Sequence, residues 1–320
     1  MAKVVMAMSG GVDSSVAAAL LKEQGHEVQG VMLKLWSEPG REAGNRCCTP
    51  DSECQARQTA EMLGIPFEVL DARDLFYRAV VQHFLQEYAA GRTPNPCIRC
   101  NDMLKFTALL GRLPEFEADR VATGHYARIA AAGGQWELRR AVDRGKDQTY
   151  FLYRMDQHQL ARVLMPVGEY GKDEVREAAR ELGLTVADKP DSQEICFIPD
   201  DDYVSFLQRR MPEALTGGAI IDSSGKELGR HDGYVKYTIG QRRGLGVAGG
   251  TPLYVTDIDP ESARVTIGPR REVMSGHLRA SAANWHRDVP QTFRATVQIR
   301  YRHAGAAATH PPSAACRGSG

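Results

Sequence analysis

Apolar and polar positions follow two different rhythms along this chain, and the change of rhythm divides it. In the first part, short apolar runs alternate with longer helical periods. "KVVMAM" (Lys3 to Met8) is a compact apolar run, and "VAAALLKEQGH" after it reads as an Ala/Leu-rich helix stopping near Gly25. "EVQGVMLKLW" is a second β-branched run, "ECQARQTAEMLG" a second helix stopped by Gly64, and "IPFEVL" a third strand. "DLFYRAVVQHFLQEYAAG" has the period of a long amphipathic helix ending at Gly91, and "DRVATGHYA" supplies a further strand. This alternation predicts βαβ units, hence an α/β fold with a doubly wound parallel sheet.

After about Ile198 the rhythm shortens. "DDDYVSFLQRRM" is one more helix. From Gly217 onward, "GGAIID", "YVKYTIG", "PLYVTDID", "RVTIG" and "FRATVQIRYR" are short alternating runs punctuated by Gly and Pro. That texture predicts a small β-rich domain followed by strands of a barrel. The last stretch, "HAGAAATHPPSAACRGSG", has no period and reads as a disordered tail. The expected organisation is therefore 1–200, 201–275, 276–303 as the start of a barrel, and 304–320 as the tail.

Composition narrows the function. The 320 residues carry 40 basic and 40 acidic side chains, so any polyanion partner must be held by local basic patches. No apolar run approaches membrane-spanning length, and the expectation is a cytoplasmic protein with no membrane partner. Seven cysteines, an odd count without a signal peptide, argue against a secreted disulfide framework. In a reducing compartment, paired thiols more often bind metal or do chemistry.

"SGGVDSS" is the strongest local chemical signal. It joins Ala7 and Met8, at the end of the first strand, to Val12 at the start of a helix. Gly10 and Gly11 let successive N–H groups point into one concavity, and the helix N-terminus adds partial positive charge. Ser9 and Ser14 supply hydroxyls, while Asp13 suits either a helix cap or a place beside Mg²⁺. An N-capped turn would use the same residue types. The Gly-Lys-Ser/Thr ending of a Walker loop is missing, so ordinary γ-phosphate chemistry is not indicated.

"TPNPCIRCND" (Thr93 to Asp102) holds Cys97 and Cys100. Pro94 and Pro96 bias Thr93 and Asn95 away from helix, which predicts an extended loop before a helix starting near Asp102. Spacing alone leaves a metal clip and a redox pair open. Cys196, in "DSQEICFI", has apolar neighbours and reads equally as a buried structural thiol.

"SGGVDSS", "GRTPNPCIRCN", "ATGHYAR", "GKDQTYFLY", "DSQEICF" and "GQRRGLG" occur in this order in the bacterial tRNA 2-thiouridylases, the MnmA family of PP-loop ATP pyrophosphatases. The chain resembles that family from its first strand to about Arg302. The resemblance implies ATP-dependent replacement of the C2 oxygen of the wobble uridine by sulfur, in tRNAs for Lys, Glu and Gln. It implies ATP and Mg²⁺ at Ala7, Met8, Ser9, Gly10, Gly11, Val12, Asp13, Ser14, Leu33 and Gly124. It makes Cys196 the persulfide carrier and Cys100 its partner, ending in a transient disulfide, with Arg99 as a nearby cation. A sulfur-relay protein or a cysteine desulfurase would supply the sulfur. Many members carry Asp where this chain has Cys97. The resulting thiol set of Cys97, Cys100 and Cys196 also suits three ligands of a [4Fe–4S] cluster, so both routes stay open.

The same resemblance assigns Asn95, Pro96, Cys97, His125, Lys146, Asp147, Gln148, Arg300 and Tyr301 to the tRNA anticodon stem-loop. Arg242 and Arg243 suit phosphates. By residue type alone, His125 would be a satisfied, partly buried histidine. Cys47, Cys48 and Cys54 read as structural or incidental, as does Cys316. Family-like sequence stops after Arg302, which predicts a truncated barrel. The competing functions are a PP-loop ligase that adenylates a small molecule, and an inactive relic that binds ATP or tRNA.

Overall fold

The computed structural model describes residues 1–41, 49–190, 195–198, 202–247 and 250–310. Cys47, Cys48 and Cys316 lie outside the described residues. The first apolar runs form a parallel sheet in which β1 (Lys3–Ala7) is central. On one side lie β2 (Glu27–Lys34) and β3 (Phe67–Asp71). On the other lie β4 (Arg120–Thr123) and, past the hairpin described below, β7 (Val163–Leu164). The order is β3–β2–β1–β4–β7, with Ala7 opposite both Val31 and Thr123.

Alternate residues of β1 serve opposite faces, as a strand's period of two requires. Val4 and Met6 pack with α1 (Val12–Glu23), α2 (Pro50–Leu63) and the Lys172–Glu181 helix. Val5 packs on the other side with Phe106, Leu109 and Leu160. Both faces are covered, so the strands read as continuous apolar runs, and the doubly wound expectation holds. The chain leaves β1 toward β2 but later returns to pair β4, so the switch point opens between the carboxyl ends of β1 and β4.

Between β4 and β7, β5 (Ala127–Ala132) and β6 (Gln135–Arg140) form an antiparallel hairpin. Gly133 and Gly134, both at positive φ, make its two-residue turn.

The "DLFYRAVVQHFLQEYAAG" helix is present with a π-helical middle, as Arg73–Phe76, Tyr77–Val81 and Gln82–Ala89. The β-rich part is a four-stranded sheet of β8 (Gly218–Ile221), β9 (Glu227–His231), β10 (Leu253–Asp259) and β11 (Arg264–Pro269), ordered β10–β11–β8–β9. "YVKYTIG" is not a strand: Tyr234–Lys236 is a 3₁₀ turn whose Tyr234 and Val235 plug the core.

One apolar core joins this sheet to the first domain. Phe76, Phe84 and Leu104 pack there with Phe197, Phe206, Ile220, Val255 and Ile267. Tyr234 Oη donates to Ala89 O across the same boundary, at 2.9 Å.

The C-terminal part corrects one expectation. β12 (Phe293–Val297) pairs antiparallel with β13 (Ala306–His310), a segment that lies inside the stretch read as a disordered tail. Gly305, at φ +91, makes the return possible, and His310 stacks on Phe293 at 4.9 Å. The exposed edge of β12 is a template that small Ala and Thr residues can follow without any period of their own.

Candidate functional site at the sheet switch point

The turn after β1 is a tight loop that closes on the helix it opens. Gly10 has φ +68, and a Cβ there would lie 2.2 Å from the Ser52 carbonyl oxygen, so both conformation and space demand glycine. Gly11 is the extended N-cap of α1 and brings no side-chain cap. Ser14 Oγ ties the first turn of the helix back to the loop: it accepts from the Ser9 amide at 3.2 Å and donates to Gly11 O at 3.0 Å. Ser9 Oγ lies 3.3 Å from the same hydroxyl. Ser9, Gly11 and Ser14 thus converge on one point at the positive end of a twelve-residue helix. Ala7 and Met8 end the strand below it, Met8 buried, and Val12 packs in the core.

Asp13 neither caps the helix nor stands free. Its Oδ1 accepts from Lys172 Nζ at 2.7 Å and from Tyr126 Oη at 2.8 Å. Lys189 Nζ donates to Gly10 O at 2.9 Å. Sequence reasoning missed Lys172, Tyr126 and Lys189, because nothing local links positions so far apart in the chain.

Gly124, directly after β4, faces the loop across the switch point. A Cβ on it would lie 2.6 Å from the Ser14 nitrogen and 2.7 Å from the Asp13 carbonyl carbon. Leu33, near the end of β2, is half-buried between the second and third apolar clusters.

The cysteine stretch is extended only up to Asn95. From Pro96 it is helical, as Pro96–Cys100 running on into a π-helical Asn101–Ala108. This corrects both the extended loop and the helix start near Asp102. Asn95 caps the helix through Oδ1, which accepts from the Cys97 amide at 3.1 Å, and Pro96 takes the first helical position, where no N–H is needed. Cys97 is therefore exposed in a first helical turn, while Cys100 is half-buried. Arg99 Nε donates to Ala79 O at 3.3 Å, so part of its guanidinium is committed to the backbone.

Cys196 is half-buried too, next to Phe197, whose ring is 5.6 Å from Phe76, 5.5 Å from Phe84 and 5.6 Å from Phe206. Cys100 and Cys196 pack against that same core. The apolar neighbours of Cys196 are thus anchors for the segment, with Phe197 and Ile198 taking the buried places.

Two family models match, described as a tRNA methyl transferase HUP domain over residues 2–200 and a tRNA methyl transferase PRC-barrel domain over residues 204–269. The tRNA-specific 2-thiouridylase MnmA of Carboxydothermus hydrogenoformans is 51% identical over 306 residues, 93% of this chain and 84% of that protein. The MnmA of Geobacter metallireducens is 49% identical over 94% of this chain and 84% of that protein. The chain belongs to the MnmA family. A solved NMN synthetase structure from Francisella tularensis aligns at a TM-score of 0.36 with 18% identity, over 59% of this chain and 66% of that one.

Three of the positions that the MnmA resemblance assigns to RNA are engaged internally. His125 is 8% exposed; Nδ1 lies 2.8 Å from Thr123 Oγ1 and Nε2 3.5 Å from Lys105 Nζ. A lysine can only donate, so Nε2 accepts and the proton sits on Nδ1, facing Thr123. Burial, and then the Lys105 ammonium, hold its pKa well below the usual histidine range. His125 is thus a satisfied, buried histidine in this structure. Asp147 accepts from the Ala141 amide and from Thr149 Oγ1, and Gln148 accepts from the Tyr126 amide. Lys146, half-buried, comes just before Asp147 in a turn held by Asp143.

Arg300 and Tyr301 come together with two other motifs of the MnmA pattern. Tyr301 lies 4.5 Å from the Phe151 ring and 5.9 Å from Tyr150, while Arg300 Nη2 donates to Ile239 O at 2.7 Å. This joins "TYFLY", "IGQRRG" and "RYR" on one exposed face, where Arg242 and Arg243 are also exposed.

Among the described residues, no three His, Cys, Asp or Glu side chains are grouped so as to hold a metal ion. No helix among the described residues is long and apolar enough to cross a membrane.

Proposed function

We propose that this chain uses ATP to replace the C2 oxygen of a tRNA wobble uridine with sulfur. The observation that carries the reading is the switch-point crevice. A serine-lined glycine turn at a helix N-terminus closes against Gly124, and two thiols far apart in sequence pack against one apolar core. The identity to MnmA proteins over more than nine-tenths of the chain supports it.

A urea-like carbonyl oxygen is a poor leaving group. In the proposed path, O2 of the uracil attacks the α-phosphorus of ATP and pyrophosphate departs into the Ser9–Ser14 turn, where amides and hydroxyls suit its charge. The adenylated oxygen now leaves readily as AMP. The terminal sulfur of a Cys196 persulfide attacks C2. Cys100 thiolate then attacks Cys196 Sγ, and the S–S electron pair passes to the transferred sulfur. The product is thiolated uridine and a Cys100–Cys196 disulfide, which a thiol reductant must open before the next turnover. A sulfur-relay protein or a cysteine desulfurase reloads Cys196. Mg²⁺ would enter with the phosphates of ATP. A [4Fe–4S] cluster held by Cys97, Cys100 and Cys196 is the second route for the sulfur. Tyr301, Phe151 and the Arg242–Arg243 loop suit a stacked base and phosphates, and the wobble base must be drawn from its stack to reach the crevice.

Nucleoside mass analysis of tRNA incubated with the protein, ATP, Mg²⁺ and a persulfide donor tests this. The expected product carries the mass increment of an oxygen-to-sulfur exchange at the wobble position, and Ser9→Ala lowers its yield. A methylated product would instead favour the activity named in the family-model descriptions, and ATP–pyrophosphate exchange that ignores tRNA would favour a small-molecule ligase.

A further inference from the structure

A Walker loop carries its own lysine. "SGGVDSS" carries none, and its one charged residue, Asp13, is an acid. An acid in the first turn suits the helix dipole, yet it opposes a phosphate arriving at the same amides. The structure resolves this conflict from far along the chain. Lys172 opens the Lys172–Glu181 helix, is 7% exposed, and places Nζ 2.7 Å from Asp13 Oδ1. Tyr126 Oη donates to the same oxygen at 2.8 Å, and Nζ lies 5.6 Å from the centre of the Tyr126 ring.

The mount is built from several segments. The Tyr126 amide donates to Gln148 Oε1 at 2.9 Å, and the Gln148 amide donates to Tyr126 O at 2.8 Å. The Lys172 amide donates to Asp143 Oδ2 at 3.1 Å. Lys172 is nearly buried, while the Asp13 side chain keeps 31% of its surface exposed, so the ammonium leaves water to meet a carboxylate on the phosphate turn. Desolvating a lysine costs free energy that one ion pair seldom returns in full, so stability alone does not account for it.

We infer that Lys172 is the positioning cation of the phosphate loop. It cancels the charge of Asp13 and draws that carboxylate toward Tyr126, so that the helix N-terminus can accept a triphosphate. The lysine that a Walker loop holds within its own sequence is supplied here by a helix that begins 159 positions after Asp13. The inference deepens the ATP-using reading above and rests on it.

The test is affinity for a non-hydrolysable ATP analogue, with thermal unfolding as a check on folding, in the full chain and in Lys172→Arg, Lys172→Met, Asp13→Asn and the Asp13→Asn/Lys172→Met double variant. Lys172→Met should weaken binding about tenfold or more, and Lys172→Arg by roughly threefold. Adding Asp13→Asn to Lys172→Met should recover a good part of the loss, a coupling that a purely structural lysine would not produce. Should Lys172→Met not fold, Lys172→Gln replaces it in both the single and the double variant. Folded Lys172→Met that binds like the parent overturns the inference, and so does a double variant no tighter than the single. A parent chain that thiolates tRNA while Lys172→Met keeps its affinity ends this inference alone. A parent that binds ATP with the predicted coupling but never thiolates tRNA ends only the sulfur-transfer reading.

Discussion

Gly124 and Ser14 meet across the switch point so closely that a single methyl group on Gly124 would sit 2.6 Å from the Ser14 nitrogen. The contact ties the end of β4 to the first turn of α1, the two elements that bound the crevice. Gly124→Ala must push them apart. Overpacking of this kind costs about 1–3 kcal/mol. The expected outcome is a lower urea midpoint together with weaker ATP binding. Unchanged ATP affinity in a folded Gly124→Ala protein would separate this contact from the nucleotide site.

The three thiols should not respond alike. Cys100 and Cys196 share a core, Cys97 is exposed at the start of its helix, and no metal group is found among the described residues. Cys100→Ser and Cys196→Ser should each reduce tRNA thiolation by roughly 10³-fold or more while leaving adenylation in place. Cys97→Ser should stay within about tenfold of the parent. Equal loss in all three, with an iron-dependent absorbance in the parent protein, would select the cluster route instead.

Phe197 anchors Cys196. Its buried ring meets Phe76, Phe84 and Phe206 edge-on, with Ile198 buried beside it. Phe197→Ala should cost about 3–5 kcal/mol. Phe197→Leu, which keeps most of the volume, should cost under about 2 kcal/mol. In the folded fraction, sulfur transfer should fall more than adenylation. Single-turnover assays that follow AMP release and thiolation separately will read the difference.

Two buried histidines set a pH dependence. Burial, with Lys105 beside it, lowers the pKa of His125 well below the usual 6.5. Burial also lowers that of His231, against a raising hydrogen bond to Ala263 O. Below 6.5 the unfolded chain takes up protons that the native chain refuses. Their contribution to stability is therefore whole above that value and is lost as pH falls toward the folded-state pKa values. The Glu38 carboxyl, held below its usual 4.5 chiefly by the Arg209 hydrogen bond, loses its contribution only at lower pH. Urea midpoints from about pH 7.5 to about pH 5.5 should decline in the parent, and less steeply in His125→Gln and His231→Gln.

Much of this was readable before any coordinates. The strands from "KVVMAM" to "DRVATGHYA" are continuous apolar runs because both faces of the sheet are covered, and their alternation with helices leaves few arrangements. Gly10 announced the turn because its positive φ and the Ser52 carbonyl beside it admit only glycine. Proline, by contrast, misled at Cys97 and Cys100. The rule restricts the residue before each proline and says nothing against a helix that begins with Pro96 itself. "YVKYTIG" alternates like a strand, but its apolar residues plug a core from a turn, since burial rewards an apolar side chain whatever backbone carries it.

Order along the chain was enough for the α/β architecture and the glycine turn, because those rest on backbone limits and on periods within a few residues; the family was legible through the resemblance of its ordered motifs. It could not say that Asp13 is met by Lys172, that His125 is buried against Lys105, or that Cys100 and Cys196 lean on one cluster of phenylalanines. Those facts belong to side chains from 20 to 159 positions apart, brought together only when the sheet and its helices exclude water between them. Local pattern carries no record of which distant partner will fill a given gap, and folding alone makes that choice.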